Sequence, residues 1–215
     1  MTIHHHIADD LLMSYAAGDL DEAFSLVVAT HLALCAECRT ALRRVEALGG
    51  ALLEEIAPVE IGAGALGAVM ARLGEVEPVE AAPVRHFDPA IVFPEPLRSY
   101  AKGDLDSLKW RSLGRGAYHI PLIKGKSMAR LLRIPAGRPV PDHSHGGREL
   151  TLVLKGQFHD ETGRFLRGDV EDCDDSVQHQ PIAGEAEDCI CLAVTDAPLR
   201  FKSLAARIVQ PFIGI

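Results

Sequence analysis

The chain has 215 residues, of which 47% are hydrophobic and 24% are charged, as in folded globular proteins that form one large domain or two modest ones. The formal net charge is −8, and residues 1–75 contribute −7 of it, from four arginines against eleven aspartates and glutamates. This acidity argues against phosphate binding by the first third of the chain, and so against a nucleic-acid-binding domain there, whereas it suits a basic protein partner.

The sequence carries no recognisable targeting segment. The N-terminus lacks the basic region and the long apolar region of a signal peptide, and no apolar run approaches the length of a membrane span. Five cysteines, an odd number, in a chain without an export signal predict a reducing compartment. We therefore expect a cytoplasmic protein that does not act on membranes, in which closely spaced cysteines bind a metal or are redox-active.

The first third of the chain has the periodicity of helices. A short helix is predicted to begin at Asp9 or Asp10 and to stop at Gly18. Asp19 is the predicted N-cap of a second helix, whose apolar residues recur at helical spacing as far as Leu48, where a glycine pair follows. A weaker helical segment closes this region.

The long predicted helix carries a histidine and two cysteines. His31, Cys35 and Cys38 fall on one helix face, and zinc takes four tetrahedral ligands from imidazole and thiolate. A first helix running antiparallel would return the chain start to this face, so the fourth ligand is expected from the HHH run, with His6 preferred and His5 second. The alternatives are two packed core cysteines or a redox pair, although the βαβ unit that a thioredoxin-like pair requires is absent.

From residue 90 onward the pattern changes to short segments rich in Val, Ile and Leu, separated by Gly, Pro and Asp. Such spacing predicts an all-β sandwich or small barrel. Residues 76–89 hold three prolines and several charges and are interpreted as a linker between domains at 1–75 and 90–215. The final segment, from Arg200, is ambiguous between a strand and a helix.

A second set of candidate ligands lies between glycines in residues 137–156. His143 and His145 alternate along a strand and therefore point to the same face, which Glu149 can rejoin at the start of the next strand. His179 is the candidate for a further ligand from a later strand. Three imidazoles and one carboxylate suit Zn, Fe, Mn, Ni or Cu. The other histidines and cysteines of this half are interpreted as surface or packing residues: His86, His119, His159, Cys173, Cys189 and Cys191.

Two motifs resemble those of known families. Residues 137–156 resemble the first cupin motif, and "GRFLRGD" followed by His179 is similar to the second, without its usual proline and final asparagine. "HLALCAEC" resembles the H-x-x-x-C-x-x-C signature of zinc-binding anti-sigma factors, with His6 at the place of their upstream ligand. In this order, and over essentially the whole chain, the two motifs resemble the cupin-bearing anti-sigma factors of the ChrR type.

The resemblance implies an α+β multidomain protein, with a small all-α zinc-binding domain followed by an all-β cupin domain of the jelly-roll barrel type. It implies a non-enzymatic cytoplasmic regulator whose helical domain binds an extracytoplasmic-function sigma factor and hides its polymerase-binding surface. The cupin domain would hold zinc or another divalent transition metal and take part in the response to stress, notably singlet oxygen. A homo-oligomer in the absence of sigma is compatible with this interpretation.

Two other functions are compatible with parts of the sequence. Three histidines and a glutamate also serve metal-dependent dioxygenases and isomerases of the cupin type, in which case the helical domain would be a zinc-stabilised oligomerisation device. The sequence offers no additional acid/base set in support of such an enzyme. A DNA-binding zinc protein is disfavoured by the acidic charge of residues 1–75.

Overall fold

The computed structural model describes residues 2–75, 91–114 and 116–202. The predicted linker at 76–89, and all but the first residues of the ambiguous final segment, lie outside this description. Within it, the helices are α1 Asp9–Ala17, α2 Glu22–Leu34, α3 Ala36–Glu54, α4 Ala65–Arg72 and α5 Glu95–Ala101, followed by a 3₁₀ turn at Leu105–Ser107.

The ends of the first two helices follow from their capping residues. α1 begins with two aspartates, which are favourable at a helix N-terminus, and stops at Gly18, whose φ of +75° suits a residue without a side chain. The N-cap of α2 is Asp21 rather than the predicted Asp19. The Asp21 carboxylate accepts hydrogen bonds from the backbone N–H groups of Ala23 and Phe24 at 3.0 and 3.1 Å.

The prediction of one continuous helix through Leu48 was wrong, because the chain turns at Cys35. This residue is extended (φ −106°, ψ 111°), and its sulfur accepts a hydrogen bond from the backbone N–H of Cys38, so it caps α3. The helix axes of α2 and α3 are bent by 118°. Gly49 and Gly50 lie inside α3 and do not end it.

No single helix in the part of the chain described here is long and apolar enough to span a membrane. Only α2 and α3 taken together, across their bend of 118°, reach the required length and hydropathy.

From residue 111 onward the described chain is all-β, as predicted, whereas residues 95–107 of the predicted all-β domain form α5 and the 3₁₀ turn. The main sheet has six antiparallel strands in the order β1-β2-β3-β11-β5-β8, and two smaller sheets have the orders β10-β6-β7 and β12-β4-β9. The strands are β1 Arg111–Gly114, β2 Ala117–Lys124, β3 Met128–Ile134, β4 His143–Ser144, β5 Glu149–Lys155, β6 Gln157–His159, β7 Arg164–Leu166, β8 Val170–Cys173, β9 Gln178–His179, β10 Ile182–Ala183, β11 Cys189–Thr195 and β12 Arg200–Phe201.

The central strands of the main sheet are buried on both faces, which is why they read as continuous apolar runs. In β11, Ile190, Leu192 and Val194 belong to a core shared with the helices, while Cys189 and Cys191 belong to a second core on the opposite face. This alternation is the period of two expected of a strand.

The helical half and the β half share the larger of these two cores. α2 packs against β3, β5 and β11, and the cluster joins Val27 and Val28 of α2 to Leu131, Leu150 and Leu192 of the sheet. The architecture is thus α+β, helices first and a cupin-like β domain second. The division at 1–75 and 90–215 stays a prediction.

Two candidate metal centres

The structure brings the four predicted N-terminal ligands together. The ligand atoms of His6, His31, Cys35 and Cys38 all lie within 4.8 Å of one another. His31 Nε2 is 3.2 Å from the Cys38 sulfur, and His6 Nδ1 is 3.4 and 3.5 Å from the sulfurs of Cys35 and Cys38. Around a tetrahedral zinc ion with ligand distances of 2.0–2.3 Å, neighbouring ligands are about 3.3–3.8 Å apart. The donor set therefore fits such an ion.

The bend between α2 and α3 is what creates this centre. His31 is in the last turn of α2, Cys35 is the residue at the bend and Cys38 is in the first turn of α3; all three are buried. Burial lowers the pKa of His31 to about 4, so its imidazole is neutral. Burial likewise raises the pKa of the Cys38 thiol to about 11, so a metal ion would have to displace its proton.

Among the HHH run, His6 is the residue that reaches the sulfurs. The His5 ring packs against Phe165, with ring centroids 4.4 Å apart, and His4 is exposed. The other ring nitrogen of His6, Nε2, lies 3.4 Å from a carboxylate oxygen of Glu37. The structure thus places His6, and not His5, beside the sulfurs, and its role as the fourth ligand stays a prediction.

In the β domain, the three predicted histidines converge. His179 Nε2 lies 3.2 Å from the Nε2 atoms of both His143 and His145, and β4 pairs with β9 so that His143 is directly opposite His179. His143 Nδ1 donates to the Pro141 carbonyl at 2.8 Å. Since the Nδ1 atoms of His143 and His179 donate outward, their Nε2 lone pairs face the centre of the cluster, where a cation, either a proton or a metal ion, would be bound.

Glu149 lies beside the three-histidine cluster rather than within it. It is buried at the start of β5, with one carboxylate oxygen 3.6 Å from His145 Nδ1 and the other accepting a hydrogen bond from the Thr151 hydroxyl at 3.1 Å. Burial raises its pKa, but the three histidines outweigh burial and hold the pKa below its usual value. The carboxylate is therefore ionised next to the cluster.

Two carboxylates that the sequence did not single out hold His179. Its Nδ1 donates to Asp160 at 2.6 Å and lies 3.2 Å from Glu171. Burial lowers the pKa of His179, but these carboxylates outweigh it and raise the pKa to about 9. Such partners fix the tautomer and orientation of a ligating imidazole. The sequence could predict that Glu171 and Cys173 share one face of β8, because side chains alternate along a strand. It could not predict that His179 contacts this face, because that contact depends on the tertiary fold.

Cys173, interpreted as a packing residue, lies close to this centre. Its sulfur is within 4.8 Å of ligand atoms of Glu171 and His179. Burial raises the pKa of Cys173 far above its usual value, and neighbouring carboxylates add to the effect. It is therefore a protonated thiol beside the histidine cluster.

A cavity of about 410 Å³ opens beside the histidine cluster. His143, Glu149 and Glu171 line its polar end, and the buried side chain of Arg130 also faces it. The rest of the lining is mostly apolar and includes Leu132, Ile134, Phe158, Cys189 and Cys191. Cys189 and Cys191, which share one face of β11, thus form part of the cavity wall.

Comparisons with known proteins give matches to the β half alone and to the whole chain. Residues 100–198 match the family model described as the ChrR cupin-like domain. The chain is 52% identical to the anti-sigma-E factor ChrR of Cereibacter sphaeroides over the full length of both proteins. It also matches a chain in the crystal structure of Rhodobacter sphaeroides SigE in complex with the anti-sigma ChrR, with 50% identity, a TM-score of 0.78, and coverage of 90% of this chain and 99% of that one.

These matches confirm the resemblance read from the two motifs. Identity of 52% along the whole chain indicates a regulatory, non-enzymatic role. The chain belongs to the ChrR family of anti-sigma factors.

Proposed function

We propose that this protein sequesters a sigma factor of the extracytoplasmic-function class in the cytoplasm and releases it under oxidative stress, such as singlet oxygen. In this proposal residues 1–75 bind sigma and residues 90–215 sense the stress. The 52% identity to a protein named anti-sigma-E factor, and the match to a chain of a SigE–ChrR complex, support the choice of partner.

The observation that carries the proposal is an exposed apolar surface on the helical part. Of the thirteen large hydrophobic residues that are exposed in the described chain, ten lie between residues 48 and 73, with exposed fractions of 58–87%. They form what we call the apolar helical surface: Leu48, Leu52, Leu53, Ile56, Val59, Ile61, Leu66, Val69, Met70 and Leu73. Apolar surface of this extent usually marks a protein interface.

Charge favours the same kind of partner. Residues 1–75 carry a net charge of −7, and a sigma factor must offer basic surface to DNA. Opposite potentials on two proteins steer their encounter and disfavour wrong partners. An acidic helical domain with an apolar surface is therefore suited to covering a basic, DNA-binding protein.

The N-terminal centre would fix the orientation of helix α3, which carries the first residues of the apolar helical surface. We propose that His6, His31, Cys35 and Cys38 hold zinc, because two imidazoles and two thiolates at tetrahedral spacing are typical ligands of structural zinc. His31 and Cys38 come from opposite sides of the bend between α2 and α3. Holding both fixes the direction of α3, whose C-terminal half carries the first residues of the apolar helical surface.

The β-domain centre would provide the sensor. We propose that His143, His145 and His179 hold zinc or another divalent transition metal, which would supply a Lewis-acidic or redox-active position at the cavity. Glu149, predicted as a further ligand, lies at the Nδ1 side of His145 and would contribute negative charge rather than a ligand atom. Asp160 and Glu171 keep the proton on His179 Nδ1. A chemical change at this centre releases sigma only if the two states of the protein bind sigma with different affinity. A tenfold release requires about 1.4 kcal/mol of difference.

The proposal is tested by binding of purified SigE to full-length chains altered on the apolar helical surface. Replacing Leu52 or Leu66 by Asn should weaken binding by at least tenfold, because buried apolar anchors contribute 1–2 kcal/mol or more each. Met13→Asn is the matched control, since Met13 is 55% exposed but lies on α1, outside this surface. Equal affinity of all three variants and the wild type would contradict the proposal.

A further inference from the structure

A loop of the β domain lies directly against the N-terminal metal centre. Gly168 and Asp169 connect β7 to β8, more than a hundred residues beyond the cysteines. The Gly168 carbonyl accepts a hydrogen bond from His31 Nδ1 at 2.9 Å. That bond fixes the proton on Nδ1 and leaves Nε2, which faces the Cys38 sulfur, as the nitrogen that can bind an ion.

Asp169 holds the segment that delivers His6. The side chain is fully buried, and one carboxylate oxygen accepts hydrogen bonds from the backbone N–H groups of His4 and His5 at 2.7 and 3.0 Å. The next residue, Val170, donates its N–H to the His5 carbonyl at 3.2 Å. Three hydrogen bonds therefore dock the residues immediately before His6 onto the β domain.

The loop is shaped to receive this segment. Gly168 has a φ of +93°, and a Cβ built there would lie 2.6 Å from Cδ1 and 2.8 Å from Cγ1 of Ile3. A side chain at this position would be strained and would push Ile3 away. The loop is itself fixed to β5, because Gly168 donates to the Val153 carbonyl at 2.8 Å and Val153 donates to the Asp169 carbonyl at 3.1 Å.

We propose that Gly168 and Asp169 are positioning residues of the N-terminal metal centre, so that the centre's affinity for a divalent metal ion depends on the β domain. The inference rests on the metal centre proposed above. The inference goes beyond that proposal because the four ligands all lie in the first 38 residues, and nothing in their spacing connects them to the second half of the chain. Outer partners of metal ligands commonly contribute 10–100-fold to metal affinity.

The test uses Co²⁺ as the probe in the full-length protein. Thiolate ligands give Co²⁺ an intense charge-transfer absorption that imidazole and carboxylate ligands do not give. Loss of this absorption in Cys35→Ala assigns it to the N-terminal centre. Competition with a chelator then measures the affinity of that centre alone, whatever is bound in the β domain.

We expect Asp169→Asn to weaken Co²⁺ binding at the thiolate centre by 10–100-fold. Asp169 accepts from His4 and His5 at one oxygen and from the Leu166 N–H at the other, whereas an amide has a single acceptor oxygen and cannot serve both sides. Asp174→Asn is the matched control. Asp174 is exposed and accepts hydrogen bonds from the N–H and hydroxyl of Ser176, so the control removes a turn carboxylate without touching the N-terminal segment. Wild-type affinity in Asp169→Asn would overturn the positioning role. Absence of the thiolate absorption in the wild type would instead refute the metal centre of the proposed function.

Gly168→Ala gives an independent variant, with Gly114→Ala as its control. Gly114 has a similar φ of +86° but nothing within 4 Å of a built Cβ, so it reproduces the backbone strain without displacing a neighbour. Only Gly168→Ala should weaken Co²⁺ binding at the thiolate centre, and equal affinity in both variants would overturn the proposal.

The wild-type protein allows a measurement without any substitution. In the zinc-loaded chain, NMR of the His31 ring should find the proton on Nδ1 and the metal on Nε2, with slow amide exchange at His4 and His5. The opposite ring assignment, or unprotected amides at both positions, would also overturn the inference.

Discussion

The core shared by the helices and the sheet predicts that the two halves unfold together. Leu192 is fully buried at the centre of β11, in the cluster that also contains Val27 and Val28 of α2. Leu192→Ala should remove about 3 kcal/mol of stability, within the 2–5 kcal/mol that buried Leu→Ala changes cost. Total stabilities are about 5–15 kcal/mol, and for a chain of this size the loss should lower Tm by about 6–12 °C.

The assay follows two probes of thermal unfolding in the same sample. Helical circular dichroism reports mainly on α1–α4, and fluorescence of Trp110, the single tryptophan, reports on the β domain, where it packs against the shared core. Both midpoints should shift by the same amount. Leu52→Ala, at a side chain 59% exposed on α3, is the control and should change stability by less than about 0.5 kcal/mol. A shift of the fluorescence midpoint without a shift of the helical midpoint would refute the shared core and show that the helices fold independently.

Three further predictions concern the β domain and its contact with α1. Asp160→Asn should weaken metal binding at the three-histidine centre by 10–100-fold, measured by chelator competition; unchanged affinity would mean that the bond to His179 does not orient the ligand. Arg148→Met should reduce the free energy of unfolding by about 1 kcal/mol, because the Arg148 guanidinium lies 2.6 Å from the carboxylates of both Asp10 in α1 and Asp172 in β8. A double-mutant cycle with Asp10→Asn that shows no coupling would contradict this prediction. Replacing His143 and Glu149 together by Ala should leave SigE binding intact but abolish release by singlet oxygen, and release equal to that of the wild type would refute the sensor role.

Local sequence patterns predicted most of the elements and most of the residues that the structure brings together as candidate ligands. Short segments rich in Val, Ile and Leu located the main strands. The spacing of Cys35 and Cys38 from His31 identified the first set of candidate ligands, because one or two helical turns determine which residues can meet. The three histidines of the β domain were found in the same way, although the position of Glu149 at the far nitrogen of His145 was not.

The errors arose where local patterns do not determine geometry. A helical wheel assumes one straight axis, so it could not show that Cys35 caps a new helix after a bend of 118°. The capping-box pattern favoured Asp19, but Asp21 is the residue whose carboxylate meets the free N–H groups of the first turn. The contact of Asp169 with the N-terminal segment could not be predicted from local patterns, because its partners are 164 and 165 residues away in the chain.

The central claim is that a metal ion in the N-terminal centre holds the helical part in the form that binds sigma. The most direct test measures the affinity of the full-length chain for SigE when zinc-loaded, after zinc removal by a chelator, and after zinc is restored. The account predicts at least a tenfold loss of affinity on removal, equivalent to about 1.4 kcal/mol, and full recovery on reloading, with Cys35→Ala fixed in the weak state. Affinity that is the same with and without zinc, and the same in Cys35→Ala, would contradict it.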